Sequence, residues 1–279
     1  MKEMQGRLSK MIATLSLEQS EARYQMVLDD HRLEMNPLIG KKIHLSFLGK
    51  INCQSCNRLT KKSYSGGFCF PCAQKLAQCD LCIMKPETCH YDAGTCREPE
   101  WGEQFCMQDH FVYLANSAAV KVGITRHTQV PTRWIDQGAT QALPIFRVKT
   151  RYQSGLVEVM FKAHVSDRTD WRKMLKGQND APIDLAEKRD QLLVECETEI
   201  AALQHRFGEG AIVPLTDEAT VEINYPVLQY PEKVKSLNFD KTPQISGVLQ
   251  GIKGQYLILD IGVLNIRKFS AYQISMRVE

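Results

Sequence analysis

Several things are scarce or missing, and each absence excludes something. The opening stretch M-K-E-M-Q-G-R-L-S-K-M has no apolar core of the kind a secretory signal carries. No segment approaches the roughly 20 apolar residues that a membrane helix needs. A cytoplasmic chain with no membrane partner is therefore expected. Net charge is low, +3 over 279 residues, so overall charge alone argues for no partner. Cysteine is nearly absent outside one stretch, because nine of the ten fall between Cys53 and Cys106. Apolar residues at 43% and charged residues at 24% leave no case for a disordered chain.

The cysteine stretch comes first among the features present. In a reducing compartment a cysteine block reads as metal binding and not as a disulfide framework. Cys53-Gln-Ser-Cys56 and Cys69-Phe-Pro-Cys72 are two C-x2-C knuckles with twelve residues between them. Each knuckle sets two thiolates on one side of a tetrahedral ion, and the intervening hairpin returns the second pair. Gly66-Gly67 supplies the turn before the second knuckle. Four sulfurs close the coordination sphere, so the ion is expected to be a structural Zn2+.

Beyond Asp80, Cys82, Cys89, Cys96 and Cys106 have six, six and nine residues between them. They form a candidate second site, for which an iron–sulfur cluster is the alternative to zinc. Cys79, His90 and His110 are substitutes within that set. The segment has few apolar anchors, so a metal would hold its shape. Cys196 stands apart in a helical run and reads as a small buried apolar residue.

Charge is low overall but unevenly spread. Between Val120 and Lys176 eleven Lys or Arg stand against four acids. A basic middle in a mildly acidic chain favours a polyanion such as DNA or RNA, the alternative being a solvated basic face. The same region reads β-β-α-β-α. Phe111 to Ala115 and Val120 to Ile124 form a hairpin, and a helix starts near Pro131. A third strand covers Ile145 to Thr150, and a second helix Leu156 to Ala163. Phe111, Tyr113 and Ala115 share one strand face, and Lys121 and Gly123 share one face of the partner. A glycine inside a strand implies that something approaches the backbone closely, and a ligand is one candidate.

Tyr113, Lys121-Val122-Gly123, Arg133 and Glu158 stand in the order and approximate spacing of the GIY-YIG nuclease superfamily. The stretch from Phe111 to Lys176 resembles that core, most closely a branch with K-[IV]-G in place of Y-[IV]-G. The whole chain is similar to an uncharacterised prokaryotic family with this core, known only as a domain of unknown function. The resemblance implies a three-stranded antiparallel sheet with flanking helices. It implies that Tyr113 orients or deprotonates the attacking water, and that Gly123 is the second motif's glycine. Arg133 would stabilise the phosphate, and Glu158 would hold Mg2+. Phe111 replaces the first motif's glycine, and Lys121 the second tyrosine. A lysine binds phosphate as a point charge, so binding tolerates the change better than cutting does.

The site expected from all this comprises Tyr113, Lys121, Arg133 and Glu158 for chemistry. Gly123, Arg126, His127, Arg147, Lys149 and Arg151 form its nucleic-acid-binding face, and His164 is a further candidate. Two functions are compatible with it: Mg2+-dependent phosphodiester cleavage, or nucleic-acid binding without cutting. A metal-dependent scaffold for protein partners, none of them identifiable, is a third.

Pro182 to Phe207 carries apolar residues at helical spacing and reads as one long amphipathic helix ended by Gly208. Both chain ends are strand-rich. They are expected to pack into one bent sheet or small barrel, the alternative being two separate units. Lys253, Tyr256, Arg267, Lys268 and Phe269 are candidate nucleic-acid contacts there. The fold expected is α+β. It runs as a β-rich segment at 1–50, a cysteine-rich region at 51–110 and a core at 111–180, followed by the helix at 181–208 and a β-rich region at 209–279.

Overall fold

The computed structural model describes residues 3–16, 18–165, 170–177 and 182–279. The chain opens with strands β1 (Met4–Arg7), β2 (Ile12–Ser16), β3 (Glu21–Leu28), β4 (His31–Glu34) and β5 (Lys42–Ile51). In β3 the buried residues Ala22, Tyr24, Met26 and Leu28 alternate with more exposed ones, the period-2 signature of a half-buried strand. The cysteine-rich region holds only two short helices, α1 (Phe70–Lys75) and α2 (Pro99–Phe105), joined by turns.

The middle of the chain supplies β6 (His110–Asn116), β7 (Val120–Arg126), α3 (Thr132–Asp136), β8 (Gln141–Val148), α4 (Arg151–Phe161) and α5 (Trp171–Met174). Helix α4 starts three residues after β8 because Thr150 and Gln153 form a capping box. It therefore begins five residues before the position read from apolar spacing. The expected long helix is two segments, α6 (Leu185–Glu195) and α7 (Glu197–Phe207). They bend at Cys196, which leaves helical geometry yet keeps its hydrogen bonds to Leu192 and Ile200. Both apolar stripes thereby face one core. Short strands β9 (Ile212–Pro214) and β10 (Val221–Glu222) follow. The chain ends with β11 (Gln244–Lys253), β12 (Tyr256–Leu259), β13 (Gly262–Asn265) and β14 (Tyr272–Val278).

The fold is α+β with three antiparallel sheets among the described residues. The terminal sheet runs β1-β14-β5-β11-β12-β13, so the two ends of the chain do share one sheet. No pairing joins β1 to β13 among the described residues, and the sheet is open where a barrel would be closed. Strands β2, β3 and β4 form a second sheet. In the middle sheet β6 lies between β7 and β8, with β9 and β10 added along β8. The expected three strands are therefore a five-stranded sheet, and β7 is its free edge.

Two cores meet at that middle sheet. Tyr113 and Ala115 on one face join the large core shared with the terminal strands, Trp134 and Ile135. Val112, Leu114 and Val122 on the other face pack against Val157 and Phe161 of α4 and the helices beyond. Helix α4 is itself covered by the cysteine-rich region. A Cβ on Gly155 would lie 2.4 Å from the Glu87 backbone nitrogen and 2.6 Å from Pro86 Cβ. Only a residue without a side chain permits that approach, which explains a glycine in the middle of a helix.

Gly155→Val is expected to destabilise the chain by about 1–3 kcal/mol through overpacking. Urea unfolding checks this, with Gly210→Ala as a near-neutral control because its added Cβ meets nothing within 4 Å.

Candidate functional site

The first four cysteines meet. Cys53 follows β5, Cys69 caps α1 and Cys72 lies in its first turn, so the sheet and the helix bring the two knuckles together. The backbone turns through Gly66 at φ +78 and Gly67 at φ +142, values that glycine adopts without strain. The Sγ atoms of Cys53, Cys56, Cys69 and Cys72 all lie within 4.8 Å of one another. Cys56 Sγ and Cys69 Sγ are 3.6 Å apart, against about 3.8 Å for the edge of a tetrahedron with 2.3 Å metal–sulfur bonds. Burial acts to raise the Cys53 thiol, but hydrogen bonds from the backbone around Cys56, Cys69 and Ser55 outweigh it and hold it at about 6. The quartet is placed to hold a metal ion such as zinc.

The later cysteines gather differently. Cys82, Cys89, Cys96 and Cys106 line one small cavity with Asp80 and His90. Ligand atoms of Asp80, Cys82 and His90 lie within 4.8 Å of one another, a grouping that the four later sulfurs do not share. Burial, with added repulsion from Asp80 and Cys89, pushes the Cys82 thiol up to about 12. Cys79 packs beside Cys53 and Cys69 and does not line this cavity.

His110 lies outside both clusters. Its ring is buried and its Nδ1 meets the Gln108 carbonyl at 2.7 Å. Burial, against the pull of that carbonyl and helped by Arg151 and Arg126, lowers it to about 4.

A cleft of about 620 Å³ runs along the free edge of β7. The β7 backbone forms its floor, with Lys121, Gly123 and Arg126. Helix α4 contributes Arg151 and Glu158, and its C-cap Lys162 follows at the spacing of the same helix face. Arg133 and Asp136 come from α3, and Lys10 and Arg267 from the terminal strands and turns. The cysteine-rich region supplies the remaining wall with Ile83, Met84, Trp101 and Phe105. Seven basic side chains thus face two carboxylates.

One of those carboxylates is already engaged: Asp136 meets Lys10 Nζ at 2.9 Å and Gln255 Nε2 at 2.8 Å. Glu158 meets Lys162 at 3.4 Å. Burial lowers Arg126 and Arg151 below the ordinary guanidinium value, with Arg133 adding repulsion at Arg151, while Arg267 is exposed at the cleft rim. Arginine keeps its charge through such shifts, so the cleft holds concentrated positive charge in a poorly hydrated setting. Arg151 donates to the Ile83 carbonyl at 2.6 Å, while its buried Nε has no partner among the described residues.

The sequence-predicted residues are therefore divided. Lys121, Gly123, Arg126, Arg133, Arg151 and Glu158 come together at the cleft. His127, Arg147 and Lys149 are exposed and do not line it; Arg147 and Lys149 both turn to Asp109, at 3.9 and 3.2 Å. His164 pairs with Glu195 at 2.9 Å.

Tyr113 is wholly buried behind the floor, and its hydroxyl donates to Gln137 Oε1 at 2.9 Å. Burial raises this phenol above its ordinary value against the opposing Arg133 guanidinium, so it stays protonated at neutral pH. A Cβ on Gly123 would lie 2.8 Å from the Tyr113 ring. What approaches the glycine is thus the cross-strand tyrosine, not a ligand.

Lys10, Lys162 and Arg267 are cleft residues that sequence reading did not assign to the site. Lys162 had a local signal, four residues after Glu158. Arg267 was expected as a nucleic-acid contact of the terminal strands and not of this cleft, and Lys10 had no signal, since tertiary packing alone brings both in.

Purified chain is expected to retain bound metal by elemental analysis, and Cys53→Ser or Cys69→Ser to lose one equivalent. A second prediction concerns pH. His110 binds a proton more readily unfolded, at an ordinary value near 6.5, than folded, at about 4. Its contribution is fully present above pH 6.5 and declines as pH falls toward 4, by roughly 3 kcal/mol in all. Urea unfolding at pH 7 and pH 4.5 should show the gap between wild type and His110→Leu narrowing by about 2–3 kcal/mol at the lower pH.

No helix among the described residues is long and apolar enough to cross a membrane. No curated protein and no solved structure matches the chain. One family model matches residues 40–274, which take in the cysteine-rich region, the β7 cleft and the sheet strands from β5 onward. On that match the chain belongs to the family described as "Protein of unknown function (DUF2797)".

Proposed function

We propose that this chain binds nucleic acid, gripping the phosphate backbone in the β7 cleft, with a structural zinc ion at Cys53, Cys56, Cys69 and Cys72. The observation that supports this most is the charge of the cleft. Among the described residues seven basic groups line it against two carboxylates, Asp136 held by Lys10 and Gln255 and Glu158 meeting Lys162, and Arg126 and Arg151 are partly buried. Concentrating like charges away from water costs free energy, and a polyanion in the cleft offsets that cost. Each phosphate bound also releases condensed counterions.

Mg2+-dependent phosphodiester cleavage is the second reading, favoured by the position of Glu158. Glu158, which meets Lys162 at 3.4 Å, is the carboxylate that the resemblance implies would hold Mg2+, an ion that binds through few protein ligands and retains waters. That ion would supply charge stabilisation at the reacting phosphate. Arg133 and Glu158 both act electrostatically on Tyr113, so the residues implied by the GIY-YIG resemblance converge. Protonated Tyr113 would position Arg133 and Gln137 and would not remove a proton.

Anisotropy of labelled oligonucleotides across a salt series tests the binding. Affinity should fall steeply with salt, and Arg126→Ala and Arg133→Ala should each reduce the slope by about 1. Arg147→Ala, outside the cleft, should leave it nearly unchanged. Salt-insensitive binding, or none, contradicts the proposal. Incubation with Mg2+ or Mn2+ tests cutting: cleavage lost in Glu158→Ala with binding retained supports it, and tight binding without cleavage in either metal excludes it.

A further inference from the structure

The two long walls of the cleft differ in chemistry. Lys121, Arg126, Arg133 and Arg151 make one wall basic; the cysteine-rich region makes the other aromatic and apolar with Ile83, Met84, Trp101 and Phe105. Trp101 and Phe105 stand one helical turn apart on α2, with ring centroids 4.8 Å apart. The Arg126 guanidinium lies 4.6 Å from the centre of the Phe105 ring. A chain of ring and guanidinium contacts therefore leads from Trp101 through Phe105 to Arg126, from the apolar wall into the basic one. Met84 is exposed at the same wall.

We infer that the cysteine-rich region is the base-binding wall of the cleft, and that the ligand is single-stranded nucleic acid with unpaired bases stacked on Trp101 and Phe105. The inference rests on the proposed phosphate-gripping role of the opposite wall. Charge complementarity selects the occupant: one side offers several cations for phosphates and the other offers π surface. A duplex keeps its bases stacked inward and presents phosphate on both flanks, so it would leave the aromatic wall without a partner. The cleft volume suits nucleotide-sized groups.

The wall also has a defined support. Trp101, Ile83 and Cys106 line both the cleft and the small cavity of the later cysteines, so one layer of side chains separates the two. Arg151 holds the Ile83 carbonyl, and Gly155 admits Pro86 against α4. The aromatic wall is thereby fixed to the helix that carries Glu158.

The test compares 5′-labelled oligo(dT), oligo(U) and a duplex of matched length and charge, using the full chain with its metals. Single strands should bind at least about ten-fold more tightly than the duplex, the range expected from one or two stacked bases. The double variant Trp101→Ala/Phe105→Ala should lose that advantage while keeping the wild-type salt slope, and Trp101→Phe should restore most of it. As a check that needs no cleft-wall variant, intrinsic fluorescence of Trp171→Phe should be quenched by the single strand and not by the duplex. Equal affinity for single strand and duplex with a steep salt slope overturns this inference and leaves the phosphate cleft standing. Absence of salt-dependent binding to either overturns both.

Discussion

The approach of Pro86 and Glu87 to Gly155 is the contact on which the rest of the site depends. A side chain at residue 155 would meet backbone at 2.4 Å, so this face of α4 is reserved for the cysteine-rich region. Once that region is seated, Arg151 is enclosed beneath it, and Met84, Trp101 and Phe105 stand opposite β7. The cleft is thus made by docking the cysteine-rich segment onto a helix, not by the middle sheet alone.

Electrostatics then give the cleft its character. Arg133 repels Arg151 and Arg267, and burial disfavours Arg126 and Arg151. A fold tolerates this arrangement more readily when a ligand supplies the missing negative charge. The exposed basic residues Arg147 and Lys149, by contrast, share Asp109. Counting charge along the sequence could not separate these two groups, because both belong to the same basic stretch.

Local patterns were legible. The doubled C-x2-C spacing located four sulfurs that meet, since knuckle turns are short-range geometry. Of the ordered residues Tyr113, Lys121, Arg133 and Glu158, the last three line one cleft, and Tyr113 is buried behind its floor. The reading of Gly123 was half right: something approaches its backbone closely, but it is the Tyr113 ring from the neighbouring strand. The bend at Cys196 had no local signal, because no proline or glycine marks it and the apolar spacing runs through it. Lys10 was invisible for a different reason, and Arg267, a candidate contact of the terminal strands, could not be placed at this cleft because the two are far apart in sequence and meet only in the folded chain. The role of Gly155 likewise needed its partner, Pro86, which lies in another part of the chain.

The central claim is that nucleic acid lies in the cleft, between a basic wall and an aromatic one. Photo-crosslinking of a 5-bromouracil single strand, mapped by mass spectrometry of the tryptic peptides, addresses it most directly. The account predicts crosslinks within Met84–Phe105 and Lys121–Arg133. Crosslinks confined to the terminal sheet around Lys268, or scattered over the exposed surface at Arg147 and Lys149, would contradict it.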